Sequence, residues 1–281
     1  MEDRIESIGK GSIIQHGKLN NRIYLIKLGR KDCPGILDSL RQLALEQGYT
    51  KIFCKVPEWA APQFFADGYL SEAIIPGFYQ GKAGAFFLAK YLDSDRLMNL
   101  ETNSLGELSE LLKNTHAKTA HSNKDFRKIK HLGPDDVEQI TDLYRKVFLS
   151  YPFPIHNPGY ILKTMQENVH YFGVSKKGKL VAIASAEIDQ KGANAEMTDF
   201  ATDPDFRGQK LGQLLLEKME TEMKAMKINT LYTIARLKSI PMNKVFLKHQ
   251  YQYAGTLLRN TNISGNIESM NVYYKHLNYA R

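Results

Sequence analysis

The sequence predicts an α/β fold, α+β in its element order: a mixed central sheet flanked by helices, preceded by a smaller α/β N-terminal domain. Three observations carry this expectation. Strand-like alternation and helical stripes interleave along both halves of the chain. A polar stretch without apolar pattern, "NTHAKTAHSNK" (114–124), separates the two sets. Finally, in "AEMTDFATDPDFRGQKLGQLLLEKM" (195–219) a half-buried strand pattern runs through a basic loop straight into an amphipathic helix.

In the first half, "RIYLIKL" (22–28) reads as a strand and "GILDSLRQLALEQG" (35–48) as a helix, with Ile36, Leu37, Leu40, Leu43 and Ala44 at helical spacing. "YTKIFCKV" is a second strand, and "APQFFADGY" a short helix ending near Gly68. "SEAIIPGFYQGKAGAFFLAKYL" gives two strands around a Gly-rich turn. Leu105, Leu108, Leu111 and Leu112 mark a connecting helix. The seam near 115–124 divides the chain into an N-terminal domain with that helix, 1–120, and a second domain, 121–281.

The second half opens with a strand, "FRKIKHL", followed by Gly-Pro-Asp-Asp, a helix start with acids in its first turn. Val137, Ile140, Leu143, Tyr144, Val147 and Phe148 form the buried face of that helix. Three prolines in "SYPFPIHNPGY" break it before a second helix, "YILKTMQENV". "HYFGVSKKGKLVAIASAEI" is a hairpin turning at Lys176-Lys177-Gly178. After the 195–219 unit come "NTLYTIARL", "SIPMNKVFLKH", "QYAGTLLRN" and "SMNVYYKHL": strand, helix, strand, strand. The halves share this order of elements, which hints at a duplicated unit; two unrelated α/β halves with like order remain the alternative.

Composition narrows the function classes. With 281 residues, 43% hydrophobic and 24% charged, the chain is long enough for one large or two modest cores. No apolar run approaches the roughly 20 residues of a membrane helix, and "MEDRIESIGKGSII" has no signal-peptide core, so a cytoplasmic protein is expected. Two cysteines make no disulfide framework, and Cys54 in "KIFCKV" reads as a small buried apolar residue. Eight scattered histidines offer no metal-ligand spacing, so no metal is expected. The net charge of +8 suits an anionic partner, yet the basic residues are dispersed and accompany no nucleic-acid motif. Neither nucleic acid nor a membrane is expected as a partner; a small-molecule amine is, and a homodimer is left open.

Chemically, "DFRGQKLG" at a helix start is an anion cradle. A helix N-terminus has unsatisfied N–H groups and partial positive charge, and Gly208 and Gly212 let backbone approach an oxyanion while Arg207 and Lys210 add charge. Neither a Walker pattern nor a dinucleotide fingerprint is present. The stretch resembles motif A of the GNAT-type N-acetyltransferases, Gln/Arg-x-x-Gly-x-Gly/Ala after a strand. Arg207, Leu211 and Gly212 fit it, and "TDPDFRG" precedes it as in that family. Lys210 departs from it, standing where the motif has its middle glycine; pyrophosphate binding survives that change provided Lys210 holds a helical φ. The resemblance covers residues 126–281 and implies a GNAT-type sheet, with an N-terminal domain like a partial GNAT unit. It further implies acetyl-CoA as cosubstrate, gripped by Phe200, Ala201 and Thr202 on the strand and by Arg207, Gly208, Gln209, Lys210, Leu211, Gly212 and Gln213 on the loop. Ser239, Asn243 and Lys244 are further candidate cofactor contacts.

Over nearly the whole chain, "NAEMTDFAT", "LYTIAR", "MNKVFLKHQYQYAGTL", "NTNISGNIESMNVYYK", "YPFPI" and "KIFCKVP…FFADGYLSEAIIPGFYQGKAGAFFLAKYL" resemble the β-lysine N6-acetyltransferases. That likeness implies transfer of acetyl to the ε-amine of β-lysine by direct attack in a ternary complex, giving a compatible solute or an intermediate of lysine metabolism. Another small amine, a protein amine, or a non-catalytic CoA-binding module are the alternatives. A lysine-type amine titrates near 10.4, so a base or water relay is required at neutral pH. Glu196 stands on the strand where relatives carry a general base, and Asp199 is the second candidate. Three positions apart they face opposite ways in a regular strand, but a bulge of the kind found in the family turns both inward. The family's acid Tyr is replaced by Phe246, with Tyr232, Tyr273 and Tyr274 as substitutes to consider. Tyr151 and Phe153 of the Pro-rich loop and Asn260, Asn262 and Ser264 are candidate substrate contacts, the last three for the carboxylate, for which an Arg would serve equally.

Overall fold

The computed structural model describes residues 3–115 and 129–277; the domain boundary at 120/121 and residues 126–128 of the expected "FRKIKHL" strand lie outside them. The first half runs β1 (Arg4–Ile8), β2 (Ser12–Gly17), β3 (Arg22–Lys27), α1 (Ile36–Gln47), β4 (Lys51–Pro57), α2 (Ala61–Ala66), β5 (Leu70–Tyr79) and β6 (Ala83–Tyr91). Two helices follow, α3 (Ser94–Met98) and α4 (Thr102–Asn114). The second half runs β7 (Ile129–Leu132), α5 (Val137–Val147), α6 (Pro158–Glu167), β8 (Val169–Lys176), β9 (Lys179–Asp189) and β10 (Asn194–Thr202). It continues with α7 (Leu211–Ala225), β11 (Thr230–Arg236), α8 (Ile240–Lys248), β12 (Gln252–Ile263) and β13 (Asn266–His276).

All these strands join one sheet, ordered β1-β2-β3-β4-β6-β5-β12-β13-β11-β10-β9-β8-β7. On either side of the β5/β12 junction the order is the same read outward. In the first half β1/β2 and β2/β3 are antiparallel, β3/β4 parallel, and β4/β6 and β5/β6 antiparallel. In the second, β8/β9 and β9/β10 are antiparallel, β10/β11 parallel, and β11/β13 and β12/β13 antiparallel. The helices fall in the same gaps: α1 and α2 match α7 and α8. The first half is therefore the second without β7, α5 and α6. Its β1–β2 hairpin adds two strands to those the sequence pattern gives; in β1 only Glu6 and Ile8 are even half-buried, so its side chains carry little apolar signal.

The missing helix pair decides how the halves meet. In the second half, α5 and α6 cover one sheet face with Ile140, Leu143, Tyr144 and Ile161, while α7 covers the other with Leu215, Leu216 and Met219. In the first half, α1 and α2 cover one face through Ile36, Leu40, Ala44 and Phe64. Its other face carries Tyr24, Phe53, Phe78 and Phe87, and with no helix to cover them these rings close on Tyr232, Leu257, Met270 and Val272 of the second half. Burying such aromatic surface against water is the dominant stabilising term at this seam. The ladder itself contributes one bridge, Ala73 with Gly255.

Polar contacts fix the seam's register. β12 slips its pairing between Leu257 and Thr261, leaving its bulged carbonyls free of the ladder. Lys51 Nζ donates to Leu258 O (2.7 Å), Arg96 Nε to Arg259 O (3.0 Å) and Arg22 Nη1 to Asn260 O (2.5 Å). Three consecutive carbonyls are thus each held by a buried cation of the first half.

Candidate active site

The site forms where β10 and β11 part. These parallel strands pair only from Asn194 with Thr230 to Glu196 with Tyr232. Beyond that point a cleft of about 700 Å³ opens, walled by Phe200 and Thr202 of β10 and by Thr233 to Arg236 of β11. Asp203 shapes the loop that follows, accepting from Asp205 N (3.1 Å) and from Lys146 Nζ (2.7 Å). The chain then turns through Gly208 (φ +77°) and Lys210 (φ +59°) into α7, which no side chain caps. Arg207, Gly208, Lys210, Leu211, Gly212 and Gln213 line the cleft, so the uncapped helix start is presented to it.

Lys210 corrects one expectation. It takes the left-handed conformation, φ +59° and ψ +23°, not a right-handed helical φ. A residue with a Cβ bears a steric cost of about 1–2 kcal/mol there. The loop nevertheless keeps the path that a glycine would give it, and Lys210 and the start of α7 stay on the cleft wall.

A second cavity, of about 410 Å³, lies between the halves of the chain. β3 and β4 contribute Arg22, Tyr24, Phe53 and Lys55; the loop before α6 contributes Tyr151, Pro152 and Phe153; and Glu187, Glu196, Thr198 and Asp199 come from β9 and β10. Tyr151, Thr198, Asp199, Ile234, Ile263 and Met270 line both spaces, so the cleft and the cavity meet at this collar.

The collar depends on a break in β10. Its pairing with β9 shifts between Thr198 and Ala201, and Asp199 has φ +54°. The bulge brings Glu196 and Asp199, three residues apart, to the same cavity. Neither Asp199 nor Phe200 pairs with β9 or β11, leaving their backbone N–H groups outside both ladders.

The two acids differ in surroundings. Desolvation, then the neighbouring Glu187 carboxylate, pushes the Glu196 pKa up to about 7, while Lys55 and the Tyr232 hydroxyl pull it back. Asp199 is also raised by desolvation, but its oxygens accept from Ser185 Oγ (2.5 Å) and the Tyr151 hydroxyl (2.5 Å). Its lone pairs are engaged. Glu196 is the carboxyl poised to exchange a proton at neutral pH.

Several other sequence candidates fall elsewhere. Ser239 lines the cleft, but Asn243 is fully buried, its amide donating to Arg236 O, Leu237 O and Ser239 O while its oxygen accepts from Asn271 and Tyr273. It braces α8 against β13. Lys244 is exposed and lines neither space, and the side chain of Gln209 engages Lys176. Ala201 is buried in the core under α5 and α6. Asn260 lines the cavity, whereas Asn262 and Ser264 turn to the loop at Ser150, through Ser150 Oγ (3.2 Å) and Ser150 O (3.4 Å). Phe246 is buried and stacked on Tyr273, with centroids 6.1 Å apart. The Tyr273 hydroxyl donates to Asn243, Tyr274 bonds Gln252, and Tyr232 takes a bond from Lys55 Nζ (2.9 Å); none of the three lines either space.

Sequence reasoning missed Arg22, Tyr24, Phe53, Lys55 and Glu187. A signal was present: β3 and β4 are buried on both faces, as a strand covered from two sides requires. What covers the second face is a tertiary fact.

A model of the acetyltransferase (GNAT) family matches residues 137–250, the segment that builds the cleft, its loop and α8. The Beta-lysine N(6)-acetyltransferase of Methanococcus maripaludis is 38% identical over 265 residues, spanning 94% of this chain and 96% of that one. The chain belongs to the GNAT acetyltransferase family. A second Beta-lysine N(6)-acetyltransferase, from Methanosarcina mazei, is 32% identical over 86% of this chain and 97% of its own length. The N-acetyltransferase YodP of Bacillus subtilis is 30% identical over 97% and 98%. As a GNAT enzyme the protein is an acetyl-CoA-dependent N-acetyltransferase. Its cleft has the features such a cosubstrate needs: the uncapped start of α7 opens onto it with Arg207 and Lys210 alongside, and the stretch of β10 outside both ladders leads toward the collar.

Proposed function

We propose that this enzyme transfers the acetyl group of acetyl-CoA to the ε-amine of β-lysine, giving N6-acetyl-β-lysine by direct attack in a ternary complex. The observation that carries the reading is the junction of two spaces at Tyr151, Thr198 and Asp199, one suited to an acyl-CoA and the other acidic and closed off by the N-terminal half. The names of the relatives at 38% and 32% identity supply the acceptor. Four carboxylates, Glu167, Glu187, Glu196 and Asp199, border that cavity, a setting that attracts a substrate bearing two ammonium groups.

In this mechanism Glu196 takes the proton from the ε-ammonium, directly or through one water, and the freed amine attacks the thioester carbonyl. The amides of Asp199 and Phe200, outside both ladders, stabilise the developing oxyanion. Asp199 holds Tyr151 at the collar. With Phe246 in place of the usual acid and the Tyr151 proton directed to Asp199, coenzyme A departs as its thiolate when the C–S bond breaks, and the proton still carried by the new amide nitrogen neutralises it.

The test is direct. Protein incubated with acetyl-CoA and β-lysine should release free thiol and yield a product whose amide lies on the terminal nitrogen by NMR. Release with another amine but none with β-lysine would reassign the acceptor.

A further inference from the structure

Three cations of the N-terminal half are buried at the seam, and two have full sets of partners. Lys51 pairs with the Glu72 carboxylate (2.9 Å). Arg96 donates to Asn20 O, Asn21 O, Thr50 Oγ1 and Arg259 O. Arg22 differs. It is 3% exposed, its Nη1 donates to Asn260 O and Thr261 Oγ1, and its Nε has no partner. Among the described residues no carboxylate lies within ion-pair distance of it. Its guanidinium lies 5.5 Å from the ring centres of both Tyr24 and Phe53, which hold it on the cavity wall.

A guanidinium remains charged at neutral pH even here, where desolvation lowers its pKa to about 10. A buried charge without a counter-ion is costly unless something supplies one. Beside it stands Asn260, a further residue of the cavity wall, whose side-chain oxygen is also buried without a partner. A cationic donor and an amide acceptor, each with an unused atom, on adjoining residues of one cavity wall match the two ends of an amino-acid head group.

We propose that Arg22, from the N-terminal half, receives the substrate carboxylate while Asn260 Oδ1 accepts from the adjacent 3-ammonium, so that this half sets the preference for an amino acid over a plain diamine. The proposal rests on the acceptor reading above for the identity of the substrate. It assigns the N-terminal half a direct part in recognition: the carboxylate is anchored on β3 and the ε-amine is left to reach the collar. The two-pronged guanidinium suits a carboxylate better than a single ammonium does.

The test compares β-lysine with pentane-1,4-diamine, the same molecule without its carboxylate, in wild type, Arg22→Gln and Arg22→Lys. Turnover is measured, as is calorimetric binding of each amine to the CoA-saturated protein. Arg22→Gln should weaken β-lysine binding and raise its KM by about 30-fold or more, with the diamine changed less than about threefold and acetyl-CoA affinity retained. Arg22→Lys keeps charge without the fork and should fall between; it carries the test if the Gln variant does not fold. Equal losses for both amines, or an unchanged KM for β-lysine, would overturn the proposal and leave Arg22 a brace for Asn260 O. Wild type that binds β-lysine more tightly than the diamine, loses that preference in the Arg22 variants, yet acetylates neither, would sink the acceptor reading while sustaining the carboxylate anchor. Normal acetylation of β-lysine by Arg22→Gln would do the reverse.

Discussion

The loop between β3 and α1 is tied to the turn between β1 and β2, whereas its counterpart between β10 and α7 borders an open cleft. In the first, Asp32 takes bonds from Lys10 N (2.6 Å), Ser12 N (3.0 Å) and Ser12 Oγ (2.7 Å), and a Cβ on Gly9 or Gly29 would collide with its carboxylate. Those hydrogen bonds hold its pKa below the usual range. An internal carboxylate thus holds the amides of the β1–β2 turn, while α1, like α7, starts without a side-chain cap. In the second, Asp203 turns to Lys146 and to the Asp205 amide of its own loop, and Gly208 and Lys210 line the cleft. One topology therefore serves two ends: one loop braces a neighbouring turn, and the other borders the cleft. The first half also lacks a counterpart of α5 and α6, and the sheet face thereby uncovered becomes a wall of the second cavity.

The largest expected effect breaks the chemistry of the open half alone. Glu196→Gln should lower kcat by about 10²- to 10⁴-fold with acetyl-CoA affinity, measured by calorimetry, nearly unchanged. Parallel loss of both would make Glu196 a structural residue instead.

The pH dependence sharpens the same point. Because the base must be ionised, kcat/KM should rise with pH up to about 7, falling close to tenfold per unit below it. That limb should vanish in Glu196→Gln. Stability should run the opposite way: a carboxyl whose pKa is raised in the folded state favours folding while protonated, below its unfolded value of 4.5, and that contribution is lost as pH rises through 7. The melting temperature of Glu196→Gln minus that of wild type should therefore grow more positive from pH 5 to pH 8. A difference that stays flat would mean Glu196 titrates normally.

Asp32→Ala tests the bracing loop of the first half. It strips partners from the amides of Lys10 and Ser12, so the melting temperature should fall while the acetyl-CoA affinity and KM for the cofactor stay put. A change in cofactor affinity would mean the two loops communicate. The smallest effect is expected from Lys210→Gly, which relieves the left-handed strain; stability should rise by up to about 1 kcal/mol while acetyl-CoA binds more weakly and with a shallower salt dependence, one cation having been removed. Unchanged salt dependence would take Lys210 off the diphosphate.

Local pattern was enough for α1, α5, α7 and the β8–β9 hairpin, because each has an apolar stripe or alternation that only one period explains. The loop at 207–212 was equally legible, since a glycine-bearing turn that opens a helix has its amides exposed whatever surrounds it. Glu196 and Asp199 could be named as a pair, but their convergence needed the break in β10, which no residue type dictates. Asn243 shows the opposite failure: a polar residue on a helix near the cofactor cleft has the same letter whether it faces a ligand or, as here, the interior. Arg22 and the acceptor cavity were decided by tertiary structure alone. They arise where strands more than two hundred residues apart in sequence meet, and burial, the property that makes an unpaired guanidinium costly, belongs to the packed sheet and not to the strand that carries it.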